Sequence, residues 1–193
     1  MSASRPVGLD FPGHRAPRAG LESPFEMLTA CHERVQRMLA LLTRLKAHLA
    51  TQGWDASAAS AATDVLGYFD RAAPQHHLDE EMHVFPAVLG LHQGRMDRLI
   101  DRLKQEHLEM EKLWAQVRQT LELVVYGEAK RWTPWTSADH AGVDLFLAVY
   151  QDHITDEESH IYPAAEQALS GEKLLAMSRD MRRRRGQSSA SAE

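Results

Sequence analysis

The sequence predicts an all-α fold: an antiparallel up-down-up-down four-helix bundle with flexible N- and C-terminal tails. Four long stretches carry apolar residues at three-, four- and seven-residue steps, the period of an amphipathic helix. No stretch of the sequence sustains the two-residue alternation of a half-buried strand. Short loops between helices of about 30 residues favour antiparallel neighbours, each roughly 40–45 Å long.

The first two helices are recognised by their ends. Ser23 precedes a proline and has Glu26 three residues later, which is a capping signal, and the first apolar stripe ends at Gly53. The second pattern runs from Asp55, a good N-cap residue, to about Leu89. Pro74 lies inside this second pattern, and it predicts a kink because proline removes one helical hydrogen bond.

The third and fourth helices follow the same logic. The third pattern spans about Met96–Tyr126 and is closed by a glycine. Ser137 is the expected N-cap of the fourth helix, which ends near Ser170. A short fifth helix over roughly Glu172–Met181 is expected to pack on the end of the bundle.

The predicted domain boundaries leave a tail at each end. Residues 1–20 are rich in proline and glycine and predict a flexible N-terminal arm. Residues 21–171 form the bundle, and residues 172–193 form a short helix and a basic, disordered tail. The four consecutive arginines, Arg182–Arg185, predict a solvated tail, with an anionic partner as the alternative.

Composition excludes several classes of protein. The chain has 193 residues, 44% of them hydrophobic, which is enough for a real core. One cysteine excludes a disulfide scaffold and a cysteine-rich zinc site. A net charge of -5 argues against a nucleic-acid partner, and no apolar run is long enough to span a membrane. Because the N-terminus lacks the apolar core of a signal peptide, we expect a cytoplasmic protein. The unusual number is the 11 histidines.

A repeated motif organises these histidines. The segments HHLDEEMHVFP and HITDEESHIYP, which begin at His76 and His153, both fit H-x-x-D-E-E-x-H-x-x-P. Residues four apart lie on one helix face, so His76 is paired with Glu80 and His153 with Glu157. Burying two carboxylates is costly unless a cation compensates their charge. The alternative interpretation is that the two His–Glu pairs lie on exposed helix faces.

The other two helices each offer one histidine on their apolar stripe. His32 lies on the first helix and His107 on the third, at similar distances ahead of the two repeats. Alone, each histidine is best explained as a core residue. With the repeat, the chain offers four imidazoles and two carboxylates, enough for a dinuclear site with bridging carboxylates. These ligands suit iron, zinc or manganese.

At these motifs the sequence resembles the hemerythrin-like cation-binding (HHE) domain. The resemblance covers roughly residues 22–170 and includes the QEH that ends at His107. It implies a non-haem di-iron centre, two Fe ions with a bridging oxo or hydroxo group. The implied metal ligands are His32, His76, Glu80, His107, His153 and Glu157. The ligand pattern is also similar to that of the iron–sulfur-cluster-repair di-iron proteins, whose N-terminal cysteine segment is missing here.

One position departs from the oxygen-carrying hemerythrins. Those proteins have H-x-x-x-H on the third helix, whereas here Leu103 stands four residues before His107 and Glu111 four residues after it. The missing fifth histidine argues against reversible oxygen carriage, and either Glu111 or solvent takes that place.

Other residues flank the predicted ligands. His83 and His160 lie near the ligand face, and we favour carboxylate- or backbone-bonded histidines over proton relays for both. Glu81 and Glu158 are candidates to support ligands. Cys31 is interpreted as a small buried hydrophobe.

Three functions remain open at the sequence level. The first is a cytoplasmic di-iron protein that binds or senses O2, NO or peroxide, or that holds iron. The second is a di-iron enzyme for peroxide or NO turnover, or for iron delivery to damaged iron–sulfur clusters. The third is a structural bundle stapled by zinc. A small diatomic ligand or peroxide is the expected partner in the first two cases, and the metal content distinguishes the third.

Overall fold

The computed structural model describes residues 23–128 and 132–186, and the regular elements within these ranges are all helical. They are α1 (Pro24–Thr51), α2 (Ala56–Phe69), α3 (Ala72–Asp79), a first π turn (Glu80–Val84), α4 (Phe85–Leu89), α5 (Gly94–Val125), α6 (Ser137–Asp156), a second π turn (Glu157–Ile161), α7 (Tyr162–Ala168) and α8 (Gly171–Arg184). The all-α prediction is confirmed. The predicted arm at 1–20 and the tail at 187–193 lie outside the described residues.

The long helices pack into a bundle whose interior has a polar layer between two apolar clusters. α1 packs on α2, α2 on α5, α5 on α6, and α6 on α1. On α1, His32 lies between Leu28 of one cluster and Val35 of the other, and His107 has the same arrangement on α5. Buried polar groups therefore have apolar packing above and below them, which shields the layer from water along the bundle axis. Within the described ranges, no helix is long and apolar enough to cross a membrane.

Two of the three predicted N-cap residues are confirmed. The Ser23 side chain accepts the backbone N–H of Glu26, and Asp55 accepts the N–H of Ala58. The N-cap predicted at Ser137 is wrong, because Thr136 has the extended backbone and forms a reciprocal capping box with the residue three positions on.

Pro74 interrupts the second helical pattern, but not at its own position. α2 ends at Phe69, and α3 begins at Ala72. Proline clashes with the carbonyl four residues earlier, which is that of Asp70, so the break falls there. Pro74 itself lies in the first turn of α3, where a missing N–H costs nothing.

Both repeats contain a π turn that the sequence analysis did not predict. The N–H of Phe85 bonds the carbonyl of Glu80, five residues back, and Tyr162 bonds Glu157 in the same way. Pro86 and Pro163 follow directly, and a wider turn removes the clash between each proline and the carbonyl four residues before it. Each π turn begins at a predicted metal ligand.

The predicted solvated tail is wrong for two of its four arginines. α8 is longer than expected and buries Met177 and Met181 in the core. Because those methionines seat α8 on the bundle, Arg184 and Arg185 lie inward, with side chains only 16% and 18% exposed. Arg183 is 80% exposed, as expected of a solvated residue.

Candidate metal centre

The structure brings the six predicted site residues together in the polar layer. Their relative exposures range from 0% to 4%. The first group is His32, His76, Glu80 and Glu157, and the second is His107, His153 and Glu157; within each group the potential ligand atoms lie within 4.8 Å of one another. Residues from four separate helical segments therefore converge on two adjacent points.

Imidazole nitrogens and carboxylate oxygens alternate around these points. His76 Nε2 lies 3.2 Å from Glu80 Oε1, and His32 Nε2 lies 3.2 Å from Glu157 Oε2. On the other side, His153 Nε2 is 3.2 Å from Glu157 Oε1. Glu157 thus presents one oxygen to each group, which is the arrangement of a bridging carboxylate.

Glu80 reaches across the layer in the opposite direction. Its Oε2 lies 3.6 Å from His107 Nε2, whereas its Oε1 faces His76. His107 Nε2 and His153 Nε2 are 3.1 Å apart. Both carboxylates therefore contact both groups.

Three of the imidazoles are oriented by carboxylates behind them. The Nδ1 atoms of His32, His107 and His153 lie 2.8–2.9 Å from oxygens of Glu158, Glu81 and Glu106. Such a carboxylate fixes the ring so that Nε2 faces inward as an acceptor, the usual arrangement behind a metal-bound histidine. The supporting positions proposed for Glu81 and Glu158 are confirmed in geometry. Glu106 was missed, although its place next to His107 was a usable signal.

His76 is the exception to this pattern. Among the described residues, neither of its ring nitrogens has a hydrogen-bond partner. Cys31 precedes His32 just as Glu106 precedes His107, so the position that would mirror Glu106 holds a half-buried thiol. The two halves of the centre are therefore chemically unequal.

Tyr162 adds a hydroxyl that the sequence analysis overlooked. Its O–H donates to Glu80 Oε1 at 2.5 Å, and the oxygen lies 3.2 Å from His32 Nε2. Its ring stacks on that of His32 with centroids 5.4 Å apart. The equivalent residue of the first repeat is Phe85, which has no hydroxyl. Aligning the two copies of the motif would have revealed this difference.

The electrostatics separate the two central carboxylates. Burial and the charge of Glu157 hold the pKa of Glu80 well above its ordinary value. Burial would also raise the pKa of Glu157, but the charge of His153 and the approach of the other imidazoles bring it well below that value. The pKa values of the two carboxyl groups thus move in opposite directions, as expected where two buried carboxyl groups compete for positive charge.

The histidines are divided in the same way. Burial lowers the pKa of His153, but the charge of Glu157 and the hydrogen bond to Glu106 outweigh it and raise the pKa to about 9. Burial and the neighbouring His32 put the pKa of His76 well below its usual range. The raised pKa values of Glu80 and His153 both favour proton uptake in the metal-free protein, which is the compensation that a cation would otherwise give.

The family model of the Hemerythrin HHE cation binding domain matches residues 23–165. The chain belongs to this family. An uncharacterized protein of Haemophilus influenzae (strain ATCC 51907 / DSM 11121 / KW20 / Rd) is 30% identical over 162 residues, which are 84% of this chain and 90% of the relative. The His/Glu cluster described above lies within the matched range.

The side chains of this hemerythrin-like domain fit a bound cation. Both oxygens of Glu157, Oε2 of Glu80 and Nε2 of His76 are buried without hydrogen-bond partners in the described part of the chain. Unpaired buried acceptors are strongly unfavourable, and metal coordination would satisfy all of them at once. Imidazole nitrogen with carboxylate oxygen is a donor set that iron, zinc and manganese accept.

The remaining candidates lie at the edge of the centre or away from it. His83 bonds Asp180 at 2.8 Å, which agrees with a carboxylate-bonded histidine rather than a relay, and His160 is 44% exposed. Glu111 is exposed and is in neither of the two groups found among the described residues. Leu103 is fully buried in the apolar cluster beside the centre.

Proposed function

We propose that this protein is a non-haem di-iron protein that binds or senses O2, NO or peroxide, or that holds iron. His32 and His76 hold one ion and His107 and His153 the other. Glu80 and Glu157 would be shared between the two ions. A bound metal would supply a Lewis-acidic, redox-active position for a small ligand.

The observation that carries this proposal is the direction of the ring nitrogens. Three imidazoles form hydrogen bonds to outer carboxylates through Nδ1, so their Nε2 atoms converge on one buried layer. Four imidazoles around two carboxylates also give a less negative site than the glutamate-rich oxygenases have, which favours binding over strong oxidation. We further propose the up-down-up-down order of the four long segments and a cytoplasmic location.

A cavity of about 260 Å³ supports access by a small ligand. It opens on the face of α3 and α5, and His107 and His77 form part of its wall. The ring of His77 stacks on that of His107 with centroids 3.9 Å apart. Glu81 and Glu111 also line the cavity, so it favours neutral molecules over anions.

Metal analysis and absorption spectroscopy test the proposal. We expect two irons per chain and an oxo-bridge band in the near ultraviolet, both lost on chelation and restored by ferrous iron in air. A colourless protein with one zinc contradicts the proposal and supports a metal that only staples the fold. Purified protein that takes up no iron also contradicts it.

Tyr162 is the observation that favours the alternative, an enzyme for peroxide or NO turnover. Its hydroxyl brings a proton into the layer through its bond to Glu80. Catalytic loss of peroxide or NO, reduced in Tyr162→Phe but not in the exposed Tyr126→Phe, would favour the enzyme over the binding protein. Stoichiometric binding without turnover favours the first proposal.

A further inference from the structure

Asp79, the aspartate of the first D-E-E motif, is a fully buried carboxylate held by the C-terminal helix. It is 0% exposed. Arg184 Nη2 lies 2.6 Å from its Oδ1, and Arg185 pairs with its Oδ2. A buried carboxylate is tolerated when it is paired, so this part of the first repeat depends on residues more than one hundred positions away.

A second polar contact joins α8 to the same repeat. Asp180 Oδ2 lies 2.8 Å from His83 Nε2 and 2.8 Å from Arg184 Nη2. Asp79 directly precedes the first π turn, and His83 lies within it. The contacts of α8 therefore bracket Glu80, the predicted ligand that opens this turn.

The second repeat is held differently. Its aspartate, Asp156, pairs with Arg102 of α5 at 2.5 Å. The histidine equivalent to His83 is His160, which is 44% exposed and has Asp156 of its own helix nearby. α8 begins after residue 165, where the family match ends, so the support of the first repeat comes from outside the matched domain.

We propose that Arg184 and Arg185 are positioning residues of the metal centre and that α8 is a clamp on the first π turn. The two guanidinium groups hold Asp79, and the turn that follows keeps Glu80 directed into the centre. Without the clamp, the turn opens more often and the centre releases metal faster. The statement about metal rests on the function proposed above, whereas the clamp itself does not.

Hydrogen exchange of the metal-free, full-length protein tests the clamp. Arg184→Ala/Arg185→Ala is compared with Arg179→Ala/Arg182→Ala, which removes the same charge from the same helix. Arg182 bonds only a carbonyl of its own helix in the contacts described, and Arg179 is exposed. We expect exchange in residues 80–84 to rise by about tenfold or more in the first variant, with residues 157–161 unchanged. No change, or an equal rise in both π turns, overturns the clamp.

A third variant separates clamping from charge neutralisation. Asp79→Asn/Arg184→Ala/Arg185→Ala removes the buried charge that the double variant leaves unpaired at position 79, so it is expected to fold even if the double variant does not. Exchange in residues 80–84 should remain fast because the tether is still missing. Exchange as slow as in the wild type means that the arginines only neutralise Asp79, and it overturns the proposal.

Metal release then tests the positioning role. The variants are loaded with ferrous iron or zinc, and release to a chelator is followed. We expect release about tenfold faster from Arg184→Ala/Arg185→Ala and unchanged from the control pair. Equal rates despite faster exchange overturn the positioning role. A wild type that binds no metal contradicts the proposed function instead, while the exchange experiment still decides on the clamp.

Discussion

The Nε2 atoms of His107 and His153 lie 3.1 Å apart in the buried layer of the bundle. Behind them, the Nδ1 atoms are 2.8 Å from Glu81 and Glu106. Because each outer carboxylate accepts an N–H, the contact between the two inner nitrogens is attractive only if one of them carries a proton or both bind a cation. The raised pKa of His153 favours the proton in the metal-free protein. Loss of a cation therefore leaves the contact between these two rings dependent on a proton.

His153→Ala should lower metal content and thermal stability together. Iron should fall from two to one or fewer per chain, and the thermal midpoint of the iron-loaded protein should drop by about 5–10 °C, since a ligand that binds only the folded state stabilises it. His160→Ala, in the same repeat but largely exposed, is the control. Unchanged iron in His153→Ala would remove this residue from the ligand set.

Glu106→Gln should weaken metal binding without removing a ligand. The amide keeps the shape of the side chain but loses the charge that makes His153 a better donor. Affinity should decrease by about 10–100-fold. Competition with a chromophoric chelator measures it, and Glu109→Gln, an exposed residue of the same helix, should behave as the wild type. Equal affinities in both variants would mean that Glu106 only packs against the ring.

Tyr162→Phe should destabilise the metal-free protein. The ring fits, because Phe85 occupies the equivalent place in the first repeat. Glu80 Oε1 loses the donor that now lies at 2.5 Å, and the expected cost is about 1–3 kcal/mol in the free energy of unfolding. Urea titration of the chelated protein measures this cost. Tyr126→Phe, at a residue 81% exposed, should change stability by less than about 0.5 kcal/mol. A Tyr162→Phe variant as stable as this control would show that the bond contributes nothing.

Asp180 should make the docking of α8 sensitive to acid. The hydrogen bond from His83 lowers its pKa to about 2 against an ordinary value of 3.8, with burial opposing and Arg183 and Arg184 adding to the shift. A lowered pKa in the folded state stabilises the protein fully above pH 3.8, and this contribution disappears as the pH falls towards 2.

Urea unfolding of wild type and Asp180→Asn between pH 6 and pH 2 measures this contribution. The difference in the free energy of unfolding should be largest above pH 4 and should shrink towards pH 2. Asp101→Asn, at an exposed residue of α5, should follow the wild type throughout. A difference independent of pH would mean that Asp180 acts by packing alone.

Local signals in the sequence were sufficient for the helices and for the ligand faces. Apolar periodicity predicted the four long helical segments, and the four-residue spacing of His76 and Glu80 predicted that they share a face. The capping signals at Ser23 and Asp55 depend on neighbours three residues away, so they were readable. The prediction of Ser137 as the N-cap failed because the adjacent Thr136 can also cap, and the backbone angles decide between them.

Features that depend on distant contacts could not be predicted. Each π turn depends on how a proline fits against the helical turn that precedes it. The repeated prolines therefore explain the π turns once the backbone is known, but they did not predict them. The burial of Arg184 and Arg185 requires α8 to dock, and the docking depends on which core surface Met177 and Met181 meet.

The sequence by itself determined the residue types of the centre, their helices and the family to which the chain is similar, because a motif spaced along one helix carries its own geometry. Tertiary structure alone decided which carboxylate stands behind which imidazole, that Tyr162 rather than Phe85 supplies a hydroxyl, and that α8 holds Asp79. Those relations join residues from different helices, and the packing of side chains between helices is not encoded in local periodicity.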